Sequence, residues 1–127
     1  MAVNKYKAKK YYFNGICFDS KKEMNRYVYL SRLVRDGEIR DLELQKKFVL
    51  IPTQREPDII GKRGGVKPGK VIEKEIAYYA DFSYTVSKSG ETVVEDVKGY
   101  RGGGAYALFT VKRKLMLFFY GIRVKEI

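Results

Sequence analysis

Residues 76–98, IAYYADFSYTVSKSGETVVEDVK, decide the fold, because they combine two β-strand patterns with a short turn between them. Apolar and aromatic side chains occupy every second position of residues 76–86, and residues 91–98 alternate in a similar way. Such a period of two is typical of half-buried strands. The segment Ser-Lys-Ser-Gly at 87–90 is a turn signal, so the sequence predicts two adjacent antiparallel strands.

The length of this turn sets which residues of the two strands face each other. A four-residue connection pairs Val86 with Glu91. The same register places Asp81 opposite Asp96, and opposed side chains lie on one side of a sheet with Cβ atoms roughly 4.5–5.5 Å apart. Two facing carboxylates repel each other, and a divalent cation bound by both would relieve the repulsion. We therefore predict a metal site here, which a register change of one residue would remove.

Lys98 follows Asp96 by two residues and is expected on the same face. A lysine beside two carboxylates and a metal ion can orient or activate water, or neutralise charge on a phosphate. Singly, Asp81 is explained as a polar strand residue, and Asp96 with Lys98 as a surface ion pair. Their combination in a basic protein favours a catalytic site. Glu95 has the opposite strand parity, so we expect it at the surface or in support of the site.

Upstream of these strands, the sequence predicts a short hairpin and a helix. The Asn-Gly pair at 14–15 lies between two β-forming triplets, which is the strongest short hairpin signal. Ser20 followed three residues later by Glu23 matches the capping box of a helix, and Asp-Gly at 36–37 ends it.

Glu23 has two interpretations. It can complete the capping box with Ser20 and so stabilise the start of the helix. It also lies on the helical stripe that carries the apolar side chains, so its carboxylate is expected to face inward. In that position it would join Asp81 and Asp96 at the metal site. Spacing alone favours the cap.

The remaining segments complete an α/β (α+β) fold in a single domain. Residues 39–51 are a predicted strand, residues 53–73 a long flexible basic loop, and residues 105–120 a helix that precedes a last strand at 122–127. The expected core stripe of that helix is Leu108, Val111, Leu115 and Phe118. After the first hairpin the order is therefore helix, three strands, helix and strand. We expect a mixed central sheet flanked by helices.

The charge of the chain indicates a polyanionic partner. Its 127 residues include 26 Lys and Arg against 15 Asp and Glu, a net charge of +11, and nucleic acid is the commonest polyanion. The chain has no His and one Cys, which excludes His-based acid–base catalysis and zinc sites with His or several Cys ligands. With no apolar run that could span a membrane and no secretory signal, we expect a cytoplasmic protein without a membrane partner.

The acidic residues and their order resemble a known nuclease signature. Asp81, fourteen intervening residues and then Asp96-Val97-Lys98 resemble the PD-(D/E)xK motif, with Ala80 in place of Pro and Asp in place of the commoner Glu. The stretches FDSKKE, GEIRDLELQ, YYADFSY, VVEDVKG and KRKL are similar to a small phage and prophage family related to endonuclease I-type Holliday junction resolvases. The resemblance covers roughly residues 5–126.

This resemblance implies a restriction-endonuclease-like core and Mg²⁺-dependent hydrolysis of DNA phosphodiesters, with Mn²⁺ as a substitute and no organic cofactor. Asp81 and Asp96 match the family's metal carboxylates, Lys98 is the motif lysine, and Glu23 is the acid that many members carry on the first helix. The family also uses the main-chain carbonyl of Val97 as a metal ligand. Resolving a four-way junction in a phage-infected or prophage-bearing bacterium needs two symmetric cuts, and hence a homodimer.

Basic residues in three parts of the chain are expected to contact DNA phosphates. They are Lys112 and Lys114 on the last helix, Arg101 in a glycine-rich turn, and Lys9 and Lys10 in a basic arm at residues 1–10. Each one singly is explained equally well as a solvated surface residue.

Two other functions stay open on the sequence. A nicking, restriction-like or end-processing nuclease would use the same residues on a different DNA substrate. A non-catalytic DNA-binding accessory protein of recombination would need only the basic surface, and would leave the set of Asp81, Asp96 and Lys98 without a role.

Overall fold

The structure, a computed structural model, describes residues 9–127. Most of the predicted basic arm, residues 1–8, lies outside the described residues. The rest of the chain has the predicted α+β fold, in which a hairpin precedes a helix, three long strands, a second helix and a short strand. Within residues 9–127, neither helix is long and apolar enough to cross a membrane.

The elements follow the chain in this order. The N-terminal hairpin consists of β1 (Tyr11–Phe13) and β2 (Ile16–Phe18), and helix α1 (Lys21–Arg35) follows it. The long strands are β3 (Ile39–Ile51), β8 (Ile76–Val86) and β9 (Thr92–Asp96). Between β3 and β8 lie the short strands β4 (Gln54–Arg55), β5 (Ile59–Ile60), β6 (Val66–Lys67) and β7 (Val71–Glu73). Helix α2 (Gly103–Tyr120) and β10 (Lys125–Glu126) complete the described chain.

The central sheet is mixed, with the strand order β10-β9-β8-β3. Strands β3, β8 and β9 are antiparallel neighbours, and β10 pairs with β9 in parallel. The β8–β9 register pairs Phe82 with Glu95 and Thr85 with Thr92, as the turn length predicted. The paired residues end at Phe82 and Glu95, and Asp81 and Asp96 are the next residues of the two strands.

Local sequence signals account for the N-terminal part of the fold. Asn14 and Gly15 have φ values of 50° and 75°, as a tight hairpin turn requires, so the predicted hairpin is confirmed. Ser20 caps α1, because its side chain accepts a hydrogen bond of 3.1 Å from the backbone N–H of Glu23. Gly37, with a φ of 75°, follows the helix end, as predicted.

Two apolar clusters form the core, one against each helix. Leu30 of α1 packs with Phe82 and Tyr84 of β8, whereas Phe109 and Met116 of α2 pack in a cluster that also holds Tyr78 and Ala80 of β8. Alternate residues of a regular strand would all face one layer. Strand β8 therefore changes layers between Ala80 and Phe82, which is where Asp81 lies.

The predicted core stripe of α2 is wrong except at Leu115, which is half-buried and packs against the core. Phe109 and Met116 are the buried residues of this helix, whereas Leu108 is 56% exposed and Phe118 is 81% exposed. The helix is apolar on nearly every side, so residues at helical spacing define two candidate stripes, and the sequence pattern does not select between them. The other stripe, containing Leu108 and Phe118, faces away from the core.

The prediction of a structureless loop at residues 53–73 is also wrong. Strand β4 pairs with β7, and β5 pairs with β6, so that residues 53–74 form a paired antiparallel ribbon, called here the β-extension. Its glycines and prolines, which suggested a loop, lie at turns and close contacts. A Cβ on Gly69 would come within 2.0 Å of the carbonyl oxygen of Glu56, so only glycine fits there.

Strands β9 and β10 are shorter than predicted.

Candidate active site

Four elements bring polar side chains together at the point where β8 changes layers. Glu23 comes from the first turn of α1, Gln45 from β3, Asp81 from β8, and Asp96 from the end of β9. The Nε2 amide of Gln45 donates to Asp81 Oδ1 at 3.1 Å and lies 3.5 Å from Glu23 Oε1. Gln45 thus bridges two of the predicted catalytic carboxylates.

Asp81 is half-buried and held from two sides. Its Oδ2 accepts a hydrogen bond of 2.7 Å from the backbone N–H of Val97, and its Oδ1 accepts the bond from Gln45. Burial raises the pKa of Asp81, the N–H of Val97 lowers it in part, and the nearby charge of Asp96 raises it again. Val97 therefore contacts the site through its N–H group, and the proposed role of its carbonyl as a metal ligand stays a prediction.

Asp96 is buried and bound through both oxygens. Tyr78 donates its hydroxyl to Oδ2 at 2.6 Å, and the ammonium of Lys98 lies 2.8 Å from Oδ1. Burial and the hydrogen bond to Asp96 raise the pKa of Tyr78, which keeps this hydroxyl a donor. Lys98 Nζ also lies 3.4 Å from the ring centroid of Phe109, a cation–π contact that fixes the ammonium beside the carboxylates.

The backbone of Glu23 takes part in the helix cap, because its N–H donates to the Ser20 side chain. Its carboxylate instead faces Gln45 and the other acids, so the capping-box bond from this side chain to Ser20 stays a prediction. Burial and then the charges of Asp81, Asp19 and Asp96 raise the pKa of Glu23 to about 7. The capping contact and the acidic neighbourhood therefore belong to the same residue.

Replacing Glu23 with Gln is expected to weaken a pH dependence of folding. Because the pKa of Glu23 is raised from 4.5 to about 7 in the folded protein, the folded state holds this proton more tightly than the unfolded chain. Its contribution to stability is then fully present below pH 4.5 and lost as the pH rises through 7. In metal-free urea titrations, the unfolding free energy of wild type should fall more across this window than that of Glu23→Gln. Parallel curves would contradict the raised pKa. Gln still suits the third position of a capping box, so the cap is preserved.

The donor set suits a hard divalent cation in chemical type, because it consists of carboxylate and carbonyl oxygens around mutually repelling acids. In residues 9–127, however, no three His, Cys, Asp or Glu side chains come together as a group that could hold a metal ion. The hydrogen bonds explain this arrangement. Tyr78 and Lys98 bind Asp96, while Gln45 and Val97 bind Asp81, so protein donors occupy the carboxylate oxygens.

Glu95 is not a surface residue. It is fully buried on the α1 side of the sheet, where Arg26 binds both of its oxygens at 2.7 and 2.6 Å and the hydroxyl of Tyr84 donates to Oε2. Of the two positions expected for Glu95, at the surface or in support of the site, the first is wrong, because the face of the sheet that carries it is covered by α1. Arg26 and Glu23 lie one helical turn apart, so this ion pair fixes the part of α1 that carries Glu23.

The predicted DNA-contacting residues lie in different places. Lys112 lines a cavity of about 240 Å³ together with Asp96, Lys98 and Tyr78, beside the candidate site. Lys114 instead lies on another side of α2, where it lines a cavity with Arg123. The structure therefore places only Lys112 of this pair near the acids.

The other predicted basic contacts are exposed, and some of them have partners within the chain. Arg101 is 3.9 Å from Glu126, which also receives bonds from Tyr106 and Arg113. Lys10 pairs with Asp19, and Lys9 lies over the ring of Tyr11.

Three residues of the site were not found from the sequence. Gln45 adopts a φ of 50° in the middle of a strand, which is rare for a residue other than glycine and marks an irregularity opposite Asp81. Tyr78 was assigned to the apolar pattern of its strand only, and Phe109 was outside the predicted core stripe of α2. The sequence offered no signal for Gln45, because it lies on the polar parity of the strand with Asp41, Glu43 and Lys47.

Comparison with known proteins places the chain in one family. Residues 3–124 match the family described as "Protein of unknown function (DUF1064)", and the chain belongs to this family. Neither a curated protein nor a solved structure matches it.

Proposed function

We propose that this protein is a Mg²⁺-dependent endonuclease that hydrolyses DNA phosphodiesters, with branched DNA such as a four-way junction as the preferred substrate. The observation that carries the proposal is that Glu23, Asp81, Asp96 and Lys98 lie in one neighbourhood of a strongly basic protein, where α1 meets strands β8 and β9. Acids and a lysine are the groups that phosphodiester hydrolysis uses.

Each residue has a role in the proposed reaction. Glu23, Asp81, Asp96 and the carbonyl of Val97 would hold Mg²⁺, which supplies polarisation of the scissile phosphate and acidifies a bound water. Lys98, held by Asp96 and Phe109, donates hydrogen bonds to the phosphate and stabilises the negative charge that develops there. If Glu23 does not bind the cation, its carboxylate, whose pKa is raised to about 7 in the metal-free protein, is suited to accept a proton from the attacking water. Wild-type cleavage rates in a stable Glu23→Gln protein would limit Glu23 to its capping role.

Two symmetric cuts at a junction require two sites, so the proposal includes a homodimer. The exposed stripe of α2 supports it, since Leu108, Val111 and Phe118 present an apolar surface that is more than half exposed at each residue. These three residues recur at helical spacing on one side of α2, whereas Leu115 between them packs against the core. Two antiparallel copies of such a stripe can pack around a two-fold axis.

A cleavage assay on matched synthetic four-way junctions and linear duplexes, with Mg²⁺ at physiological salt, tests the proposal. Symmetric cuts with a strong junction preference are expected. Equal cleavage of duplexes would favour a restriction-like or end-processing nuclease, and a strictly monomeric protein in sedimentation would favour a nicking enzyme. Binding without any cleavage would leave the recombination accessory protein. The proposed setting is the cytoplasm of a bacterium that carries the phage or prophage.

Added Mg²⁺ or Mn²⁺ is expected to raise the melting temperature of the wild type and not that of Asp96→Asn. A cation that binds only the folded state stabilises it by mass action, by roughly 2.7 kcal/mol at a hundred times its dissociation constant. Differential scanning fluorimetry with and without metal measures the shift, and Ca²⁺ provides a comparison with a larger ion. Equal shifts in both proteins would place the bound cation elsewhere.

Replacing Lys112 with Ala is expected to weaken the binding of all DNA substrates similarly. If six to eight phosphates are neutralised, log K against log salt has a slope near −5 to −7, and each lost contact makes it shallower by about 0.9. Lys114→Ala removes the same charge from another side of α2 and is the matched control. If both substitutions make the salt slope shallower by the same amount, the bound DNA does not lie over the candidate site only.

A further inference from the structure

The β-extension leaves the body of the protein as a two-stranded ribbon. It continues from the ends of β3 and β8, and its strands pair as β4 with β7 and β5 with β6. Backbone bonds from Glu56 to Lys70 at 2.8 Å and from Gly61 to Gly65 at 2.7 Å close the ribbon along its length. Almost every side chain on it is exposed, and no residue of it belongs to either core cluster.

Such a ribbon gains little stability from the rest of the fold. A two-stranded hairpin alone is marginally stable in water, because it has no sheet face to bury. This one nevertheless exposes large apolar side chains at its end, with Ile60 75% and Val66 65% exposed. Ile60 and Val66 are directly paired across the strands, so they lie on the same face of the ribbon. The ribbon therefore presents an apolar face that is covered by nothing in residues 9–127.

The chemistry of the tip indicates its partner. The turn between β5 and β6 reads Gly-Lys-Arg-Gly-Gly, and Lys67 is paired with Ile59. From residue 59 to residue 70 the ribbon carries Lys62, Arg63, Lys67 and Lys70 and no acidic residue. Cations that flank a small apolar face are complementary to the edge of a DNA groove, where phosphates border the bases and thymine methyl groups.

We propose that the β-extension inserts its tip into the major groove of a DNA duplex that leads away from the cleavage site. This inference rests on the proposed function and names how the same site holds its substrate. The major groove, about 12 Å wide, admits a two-stranded β-ribbon. Lys62, Arg63 and Lys67 contact the bordering phosphates, and the face of Ile60 and Val66 contacts thymine methyl groups.

The length of the β-extension fits this arrangement. Asp81 lies five residues from the start of β8, and Gly64 at the tip lies twelve residues before that start. At about 3.3 Å per residue, the tip is at most roughly 55 Å from Asp81 along the ribbon. One turn of B-DNA is about 34 Å long, so the tip reaches the duplex within about one and a half turns of the scissile phosphate.

Chemical probing of guanine N7 tests the inference, since this atom is exposed only in the major groove. The protein with Asp96→Asn, without metal, is bound to a junction and treated with dimethyl sulfate. Protection of guanines about one turn from the branch point is expected, together with its loss when Lys62, Arg63 and Lys67 are changed to Ala. The salt slope should become shallower by roughly 2–3 in the same variant.

Two controls make the test specific. Changing Arg32, Arg35 and Lys88 to Ala removes the same charge from exposed positions at the opposite end of the β3–β8 pair, and should preserve the protection. Replacing Ile60 and Val66 with Ser should weaken binding to thymine-containing duplexes and leave the affinity for uracil-containing duplexes nearly unchanged.

Unaltered guanine protection in the Lys62, Arg63 and Lys67 variant would overturn the inference and leave the nuclease proposal intact. A change from dimer to monomer in that variant, with unaltered DNA contacts, would also overturn the inference. It would mean that the β-extension contacts a second copy of the chain. No DNA binding by the unaltered protein would contradict the proposed function itself.

Discussion

Replacing Asp96 or Asp81 with Asn is expected to abolish Mg²⁺-dependent DNA cleavage while DNA binding without metal stays the same or becomes tighter. Asn keeps an oxygen for the bond from Tyr78 or Val97, so each fold should persist. It removes one negative charge from the pair, which weakens cation binding and reduces repulsion of DNA. Loss of one electrostatic stabiliser typically costs roughly 10²–10³-fold in rate, and loss of a metal ligand should cost at least that.

The measurement is single-turnover cleavage of a labelled junction beside an equilibrium binding titration. Asp36→Asn is the matched control, because it makes the same change in the exposed cap at the far end of α1, about 20 Å along the helix from Glu23. Retained Mg²⁺-dependent cleavage in either purified site variant would refute the site assignment. Lost cleavage in Asp36→Asn would mean that charge alone, and not position, determines the effect.

Replacing Arg26 with Ala is expected to have the largest effect on stability. It leaves the carboxylate of Glu95, which is 0% exposed, with only the hydroxyl of Tyr84 as a partner. Removing one member of a buried ion pair typically costs about 3–5 kcal/mol. For a domain of this size the melting temperature should fall by roughly 10–15 °C.

Thermal and urea unfolding measure this loss. Arg32→Ala removes the same charge from an exposed position on the same helix and should change the unfolding free energy by no more than about 0.5 kcal/mol. Changing Arg26 to Met, Glu95 to Leu and Tyr84 to Phe together should recover most of the stability, because no buried charge stays unpaired. If Arg26→Ala is no less stable than Arg32→Ala, the ion pair does not hold α1 to the sheet.

Sequence reasoning worked where a few neighbouring residues determine the geometry. The Asn-Gly turn, the cap at Ser20 and the four-residue turn before β9 are local, so their outcome depends little on the rest of the fold. The turn length predicted the β8–β9 register from Thr85–Thr92 to Phe82–Glu95, and Asp81 and Asp96 follow directly after this last pair. The order of the main elements followed from hydrophobic periods alone.

Sequence reasoning failed where contacts between distant parts of the chain determine the structure. An apolar helix offers two faces, and only packing against the sheet selects Phe109 and Met116 over Leu108 and Phe118. The β-extension is rich in glycine and proline, which are as compatible with bends in a paired ribbon as with a loop. The role of Gln45 in β3 depends on the placement of α1 and β8 beside it, because its side chain contacts Glu23 of α1 and Asp81 of β8.

The ion pair between Arg26 and Glu95 also makes the site conditional on the folding of the first helix. Arg26 follows Glu23 by one turn, and Glu95 precedes Asp96, so the same contact that seats α1 brings its acid to the sheet. Sub-global opening of a protein releases cooperative units as wholes. A molecule whose first helix has opened therefore loses Glu23 from the site while β8 and β9 are still paired. If the protein binds and cuts DNA as proposed, partly unfolded copies would keep the basic surface and lack the complete set of acids, so they would bind DNA without cutting it.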